Sequence, residues 1–482
     1  MLPQYTKVPA LRVPTQVPRP NAVPLPSSTP ALSPGEQNWI LDENNPLRRM
    51  GLHFGLLFTF IAFTKFHELL SILLHVNTYL LYMVGIPAYL CLFLSGGIQR
   101  TWKWPQSRYW VGVGFWLLAG SATSMWVVNS LEIVGTYFRT ELAVLFMIAG
   151  FVVTWEECRR LMNCIAWAAV VGLLAGRIFN ASLNGRLEMT DGSMADPNDY
   201  AALLIAVLPF LLLVAMRSTR MPLVRVVALL GVLVGLYTIL STGSRGGMVA
   251  VLVGIAYGLW RLKPAQKIMG IVALVAVGSI LLMFLPTSTR MRLATIFADK
   301  SQATTLDQVN AIESSEARQY LLKRSISATF EHPLFGVGVQ QFENYEGITA
   351  RKQGLQGNWH ETHNSFTQIS SEGGIPAFLF FMAGFVSTVR LMSRTYRKVR
   401  GMPATPRNIE IRQTCLVVMI ALLSFATCSF FLSMAYRFYL PAFTGIAIVL
   451  ARVVEHELTQ SAPSPLQPVS WTAPRFARIG TK

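Results

Sequence analysis

Long apolar runs, separated by polar connections, follow one another through most of the chain. Each run is close to the 17–25 residues that a helix needs to cross the hydrocarbon core of a bilayer. The pattern predicts about twelve spans, with approximate limits 50–66, 78–96, 110–128, 134–154, 161–179, 199–216, 224–241, 246–260, 267–285, 373–391, 411–431 and 435–453. The chain is therefore predicted to be an all-α polytopic membrane protein.

Composition agrees with this interpretation. Of the 482 residues, 52% are hydrophobic and only 13% are charged, against about 25% charged in a soluble domain. The five cysteines lie in or beside apolar runs, and no two of them flank a predicted outer loop. We therefore expect packing residues there, not disulfides or a thiolate metal site.

The distribution of Lys and Arg predicts the orientation, because basic residues are retained in cytoplasmic loops. The N-terminal tail and every second loop are basic, as in Arg159 and Arg160 and in the strongly basic connection 390–412. Both termini are thus expected in the cytoplasm. The net charge of +17 follows from this bias and from attraction to anionic lipid, and no nucleic-acid partner is expected.

The chain divides into five predicted parts. Residues 1–49 and 456–482 are Pro/Ser-rich cytoplasmic tails that we expect to be disordered. Residues 50–285 carry spans one to nine, and residues 373–455 carry spans ten to twelve. Between them, residues 286–372 form a large outer loop. A segment of that length without structure would be unusual, so we expect a partly helical cap, with an amphipathic helix near 314–330 that begins at Ser314 or Ser315 and ends before Pro333.

Three polar segments fall on the predicted outer side. They are the loop 184–199 with Arg186, the turn 241–247 with Arg245, and the segment 360–374 with His363. Small residues around Arg245 suit close approach of an anion, although an interfacial Arg also snorkels without function. Arg186 binds an anion or pairs with a neighbouring carboxylate such as Asp196. Those carboxylates lack a recognised metal-ligand spacing, so no metal and no other cofactor is expected.

His363 is the candidate proton acceptor, because the pKa of His lies near neutral pH. Glu361 is the alternative base. Loop histidines are often only solvated or structural, so His363 alone is a weak indication. Asp196-Pro197-Asn198 has the pattern of a capped helix start.

Four short motifs, in this order, resemble the O-antigen ligase and polymerase superfamily of bacterial membrane glycosyltransferases over roughly residues 50–455. They are Arg186 with Asp196-Pro197-Asn198, Ser244-Arg245-Gly246, the run from Glu331-His332-Pro333 to Gly336 and Gly338, and the run from His363-Asn364 to Glu372 and Gly374.

The resemblance implies a GT-C-like membrane fold and an active site on the periplasmic face of the inner membrane. It implies glycan transfer from undecaprenyl diphosphate to an acceptor such as lipid A-core, another glycan or a protein. Arg186 and Arg245 would bind the donor diphosphate and His363 would be catalytic, with Asn198, Arg318 and Asn364 in support. Ligase, polymerase and protein O-glycosylation all remain open.

Two other classes of function fit the sequence less well. A secondary transporter or flippase is compatible with twelve spans, but related halves and midplane charges are its usual marks, and the halves show no convincing repeat. An intramembrane protease needs a Ser–His pair or a metal motif inside the spans, and the chain contains no His-Glu-x-x-His.

Overall fold

A computed structural model describes residues 45–183, 186–189, 192–217, 220–294, 306–357 and 359–461. Most of both predicted tails therefore lies outside the described residues. The first helix begins at Pro46, after the Asn45 side chain accepts from the Arg48 amide. The last helix extends to Ser461, so ordered helix reaches a few residues beyond the predicted limits at both ends.

The described residues form eighteen α-helices and one β-hairpin. In chain order they are α1 Pro46–Thr64, α2 Phe66–Leu74, α3 Leu80–Leu94, α4 Gly97–Trp102, α5 Pro105–Ser121, α6 Val127–Thr136, α7 Leu142–Phe151, α8 Trp155–Ile178, β1 Asn180–Leu183, β2 Arg186–Met189, α9 Pro197–Met216, α10 Pro222–Ser241, α11 Arg245–Trp260, α12 Pro264–Met283, α13 Thr287–Ala294, α14 Leu306–Glu331, α15 Phe342–Lys352, α16 Ser365–Arg400, α17 Pro406–Cys428 and α18 Tyr439–Ser461. A π-helical turn, Tyr137–Glu141, joins α6 to α7.

Every predicted span coincides with a helix or a helix pair. Within the described part of the chain, eight are long and apolar enough to cross a membrane, or nine if the bent pair α1–α2 is one span. The remaining three spans correspond to α3, α5 and α11, helices of 15, 17 and 16 residues. The all-α polytopic membrane fold is thus confirmed.

Helix α9 is the buried centre of the bundle. It packs against α8, α10 and α17, while α18 packs against α7 and α16. Residues Ala201 to Val207 are all nearly inaccessible. Helix α12, in contrast, has no buried residue and lies at the periphery of the bundle.

Buried arginines hold together the end of the bundle where α1, α8 and α17 begin. The Arg48 guanidinium is 2.8 Å from the Glu157 carboxylate, and Arg217 Nε is 2.8 Å from Glu410. Arg452 donates to the carbonyls of Val152 and Ala149. A buried guanidinium must be paired or hydrogen-bonded. Because the partners of Arg48 and Arg217 lie on other helices, these ion pairs also join α1 to α8 and the end of α9 to α17. We call this the opposite end, since the cap lies at the other one.

The cap, residues 287–364, contains α13, α14 and α15. Helix α14 begins at Leu306, so the prediction that Ser314 or Ser315 caps it was wrong, because both lie in its interior. Its end at Glu331, before Pro333, was predicted correctly. Leu321 and Ala328 supply its buried face, and the predicted apolar face of Leu322, Ile326 and Phe330 is exposed by 36%, 43% and 72%.

The motif 331–338 of the cap and the motif 363–374 at the start of α16 join the cap to the bundle. Gly374 has φ 78° and breaks α16. Around this break Val337 N donates to Ser371 O at 2.9 Å, Gly338 N donates to Glu372 O at 3.2 Å, and Ile375 N donates to Pro333 O at 2.8 Å. Backbone groups freed from one helix are therefore satisfied by the cap.

Replacement of Gly374 by Ala is expected to loosen this junction. A Cβ there would lie 2.3 Å from the Leu334 carbonyl oxygen, on a backbone with positive φ. We expect the free energy of unfolding to fall by about 1–3 kcal/mol, seen as a lower melting temperature in detergent. The matched control is Gly278→Ala, where the new Cβ would meet nothing within 4 Å. Equal melting temperatures for the two variants would contradict the docking role of Gly374.

Candidate functional site

Arg186 is placed by the β-hairpin that follows α8. It begins β2, and its Nε donates to the Thr242 carbonyl at 2.9 Å. One terminal nitrogen lies 3.5 Å from Asn198 Oδ1. Asp196 caps α9, as predicted: its carboxylate accepts from the Asn198 amide N–H at 2.6 Å and from Asn198 Nδ2 at 2.9 Å. Asp196 thereby turns the Asn198 oxygen toward Arg186.

Arg245 is placed by a turn that starts α11. Gly243 has φ 62°, and Ser244 caps the helix by accepting from Gly247 N at 3.2 Å. Arg245 is thus the first residue of a helix, where the backbone N–H groups carry partial positive charge. Gly246 has a packing role that the sequence did not indicate, since a Cβ there would lie 2.7 Å from Phe431 Cβ.

One cavity of about 430 Å³ gathers residues from distant parts of the chain. Arg245 comes from α11, Arg318 from α14 of the cap, and His363 with Asn364 from the segment before α16. Phe430 and Phe431 form an aromatic wall. The cavity lies between the cap and the end of the bundle. Arg186 and Glu361 are not part of its lining, although Arg186 bonds to Thr242, three residues before Arg245.

His363 is held in an unusual backbone conformation. Its φ of 49° is uncommon for a residue with a side chain and calls for support from its surroundings. That support comes from Ser433, whose Oγ accepts from His363 N at 2.9 Å. Asn364 Oδ1 accepts from the N–H groups of Phe366 and Thr367 and so caps α16. The Asn364 side chain is thus engaged in capping the helix that follows His363.

The two candidate bases have different electrostatic surroundings. Burial and, to a smaller extent, the nearby Arg318 together lower the pKa of His363 to about 4. The imidazole is therefore neutral at physiological pH. Burial instead raises the pKa of Glu361, although a hydrogen bond from Ser433 lowers it in part. The charges of Glu343 and Asp196 also raise the pKa of Glu361, and that of Arg437 lowers it.

The segment 429–438, between α17 and α18, is the part of the site that the sequence did not predict. It contributes Phe430 and Phe431 to the cavity and Ser433 to His363. It also brings Tyr436, whose hydroxyl donates to Glu372 at 2.7 Å. The polar residues Ser433 and Arg437 between two apolar runs were the available signal. It was missed because the predicted spans there are separated by only three residues.

The structure describes only part of the loop 184–199 and its carboxylates. Asp191 lies outside the described residues, whereas Asp196 and Asp199 begin α9. Among the residues that the structure describes, no group of three or more His, Cys, Asp or Glu side chains is arranged to hold a metal ion.

Comparison with known proteins identifies the family of the central region. Residues 230–382 match the family model described as O-antigen ligase, about a third of the chain. No curated protein matches the chain significantly. The matched region contains Arg245, Arg318, Glu361, His363 and Asn364, while Arg186 and Asn198 precede it. The resemblance drawn from the motifs is thereby confirmed for residues 230–382, which are similar to the O-antigen ligase family and contain three of the four motifs.

Arg318→Gln is expected to raise the pKa of His363 from about 4 toward the ordinary value near 6.5. The physical reason is that a neighbouring cation disfavours the imidazolium form. The measurement is a titration of ¹³C-histidine-labelled protein by NMR, with the His363 signal assigned from a His363→Gln sample.

Arg324→Gln is the control for this titration. It lies on the same helix but acts on Glu331 and Tyr345, so the His363 signal should titrate as in the unsubstituted protein. If Arg318→Gln also left the titration unchanged, Arg318 would have no electrostatic contact with His363.

Proposed function

We propose that this protein transfers a glycan from undecaprenyl diphosphate to an acceptor hydroxyl at the periplasmic face of the bacterial inner membrane. The observation that carries the proposal is the single cavity that joins Arg245, Arg318 and His363 at the junction of cap and bundle. The O-antigen ligase match over residues 230–382 supports the class of reaction.

The arginines suit the donor. When the glycosidic bond to the diphosphate breaks, negative charge grows on the leaving oxygen, and fixed guanidinium groups stabilise that charge as it develops. Arg donates two parallel hydrogen bonds to phosphate oxygens and stays charged at any physiological pH. Arg245 and Arg318 face the cavity, and Arg186 supports the same turn from behind through Thr242.

In this proposal Arg186 both positions the turn of Arg245 and adds positive charge. Its hydrogen bond to the Thr242 carbonyl at 2.9 Å and its approach to Asn198 fix the turn that presents Arg245. Its positive charge adds to the potential that attracts a diphosphate. Asn198, oriented by Asp196, serves as a positioning residue for Arg186.

His363 is the proposed proton acceptor. Because its pKa is lowered to about 4, it carries a free lone pair at neutral pH and can accept a hydrogen bond from an acceptor hydroxyl. A base this weak takes the proton only as the new glycosidic bond forms and the hydroxyl becomes acidic. Glu361 is the rival base, and its position outside the cavity lining favours His363.

The aromatic and aliphatic wall of the cavity suits a lipid-linked donor. Phe430 stacks on Phe366 with ring centroids 4.3 Å apart, and Val249 and Leu322, one turn after Arg245 and Arg318, add apolar lining to the cavity. A polyprenyl diphosphate likewise combines an anionic head with an apolar tail.

The acceptor is addressed by a reconstituted assay. Purified protein in nanodiscs is given undecaprenyl-diphosphate oligosaccharide, with lipid A-core as the rival acceptor to a second donor molecule, and products are separated by mass. One glycan added to lipid A-core identifies a ligase, and a ladder of lengthening donor identifies a polymerase. Absence of turnover with a glycan, lipid A-core or peptide acceptor would contradict the proposal.

Arg245→Ala is expected to lower the transfer rate by at least about 10²-fold, the usual cost of losing one group that stabilises developing negative charge. Arg245→Lys should recover little of it, because Lys cannot make the bidentate contact. Arg290→Ala, an exposed cap arginine bonded to Thr287, is the matched control and should retain activity. Transfer at the full rate by Arg245→Ala would refute the donor-binding role.

The dependence of kcat/KM on pH separates the two candidate bases. With His363 as base, activity stays level as the pH falls to about 5, because His363 becomes protonated only near its pKa of about 4. With Glu361 as base, activity begins to decline at a higher pH, since the pKa of Glu361 is raised. We expect activity to decline only below about pH 5, as the pKa of about 4 requires for His363. His363→Ala should lose activity, and Glu361→Gln should keep the pH profile of the unsubstituted protein. An active His363→Ala with an early decline would transfer the role to Glu361.

A further inference from the structure

A deep apolar groove runs between α8 and α10 toward the opposite end of the bundle. Its volume is about 690 Å³. Trp167 and Leu174 form the wall from α8, Leu223 and Val227 form the wall from α10, and Leu211 of α9 lies at its base. Trp167 in one wall is 64% exposed and Val227 in the other is 59% exposed, so the groove opens toward the surrounding lipid.

A basic pocket continues this groove at the opposite end. It has a volume of about 340 Å³ and is lined by Arg159, Arg160 and Arg220 together with Asn163 and Glu156. Asn163 and Arg220 line both the groove and the pocket. The two therefore form one continuous site, apolar along its length and cationic at its end.

The positive charge of the pocket is only partly neutralised. Arg159 Nε is 3.2 Å from Glu410, a carboxylate that also pairs with Arg217. Glu156 lies 4.0 Å from Arg407 and is largely exposed. Within the described part of the chain, Arg220 Nε is buried without a hydrogen-bond partner, which costs free energy unless a ligand supplies an acceptor.

We propose that the groove and the pocket together bind one diacyl anionic phospholipid. Its phosphate would accept hydrogen bonds from Arg160 and Arg220, and its acyl chains would lie along Trp167, Leu174 and Val227. Guanidinium groups match phosphate oxygens in geometry and charge, and basic pockets between membrane helices are recognised sites for anionic headgroups. A convex apolar helix surface would bind lipid without this selection.

The bound lipid has a structural consequence. Helix α10 packs closely on α9, whereas the groove separates it from α8 over the length that the lining residues span. Acyl chains in the groove would fill that separation and stabilise α10. The site lies at the other end of α10 from the turn that precedes Arg245, so it is distinct from the transfer cavity and independent of the proposed reaction.

The test is native mass spectrometry of the full chain, purified in detergent and titrated with phosphatidylglycerol or with phosphatidylcholine of the same acyl chains. We expect one tightly retained phosphatidylglycerol and much weaker retention of phosphatidylcholine. Arg160→Ala with Arg220→Ala should lower phosphatidylglycerol retention roughly tenfold or more, at about 1 kcal/mol for each basic residue.

Matched controls separate site binding from general charge attraction. Arg397→Ala with Arg400→Ala removes the same charge from exposed positions of α16 and should keep the retained lipid. Val227→Trp, in the groove wall, should weaken retention of both lipids, whereas Val226→Trp, an exposed neighbour outside the lining, should not. Melting temperatures of the lipid-free proteins show whether each variant is folded.

Three outcomes would overturn the proposal. One is equal retention of phosphatidylglycerol by the Arg160/Arg220 variant and its control. Another is a rise in melting temperature with millimolar inorganic phosphate as large as that with phosphatidylglycerol, which would make the pocket a simple anion site. The third is retention of undecaprenyl phosphate in preference to phosphatidylglycerol, which would assign the groove to a prenyl lipid.

Discussion

The break in α16 at Gly374 is the constraint on which the rest of the site depends. The Glu372 carbonyl has no intrahelical donor there, because residue 376 is a proline, and it accepts from Gly338 N of the cap. The Glu372 carboxylate, also buried, accepts from Gln340 N at 2.8 Å and from the Tyr436 hydroxyl at 2.7 Å. Cap, bundle and segment 429–438 are therefore held by one glutamate. Since the cavity takes Arg318 from the cap and Arg245 from the bundle, its composition follows from this junction.

The two ends of the bundle use polar groups differently. At the opposite end, the buried guanidiniums of Arg48 and Arg452 are matched by a carboxylate or by carbonyls, and the remaining positive charge is concentrated in the pocket of Arg159, Arg160 and Arg220. At the cap end, backbone and hydroxyl hydrogen bonds carry the structure, as between Ser433 and His363. Arg245 and His363 line the cavity at this end, and the turn and the segment that present them are fixed mainly by hydrogen bonds to hydroxyl and backbone groups.

Sequence periodicity predicted the helices well because each membrane span must satisfy its backbone internally and cover itself with apolar side chains. It predicted less where that demand is absent. The first turns of α14 carry apolar residues at helical spacing, Leu306, Val309 and Ile312, but Ser314 and Ser315 have the pattern of a helix cap, so the predicted start was too late. The motifs grouped Arg186, Arg245 and His363, and the resemblance added Arg318 and Asn364 in support. One cavity is lined by Arg245, Arg318, His363 and Asn364, whereas Arg186 is not part of its lining. The contact of His363 with Ser433, seventy residues apart, depends on tertiary packing that no local pattern encodes.

Arg318 links the two halves of the proposed chemistry. It faces the cavity where a diphosphate would bind, and its charge contributes to the low pKa of His363. A bound diphosphate would offset that charge, and the pKa of His363 would then rise, because a nearby anion favours the imidazolium form. The base would be weakest in the free protein and stronger once the donor is in place. Proton transfer would thus be coupled to donor binding through one guanidinium, without any movement of the backbone that holds His363 at its positive φ.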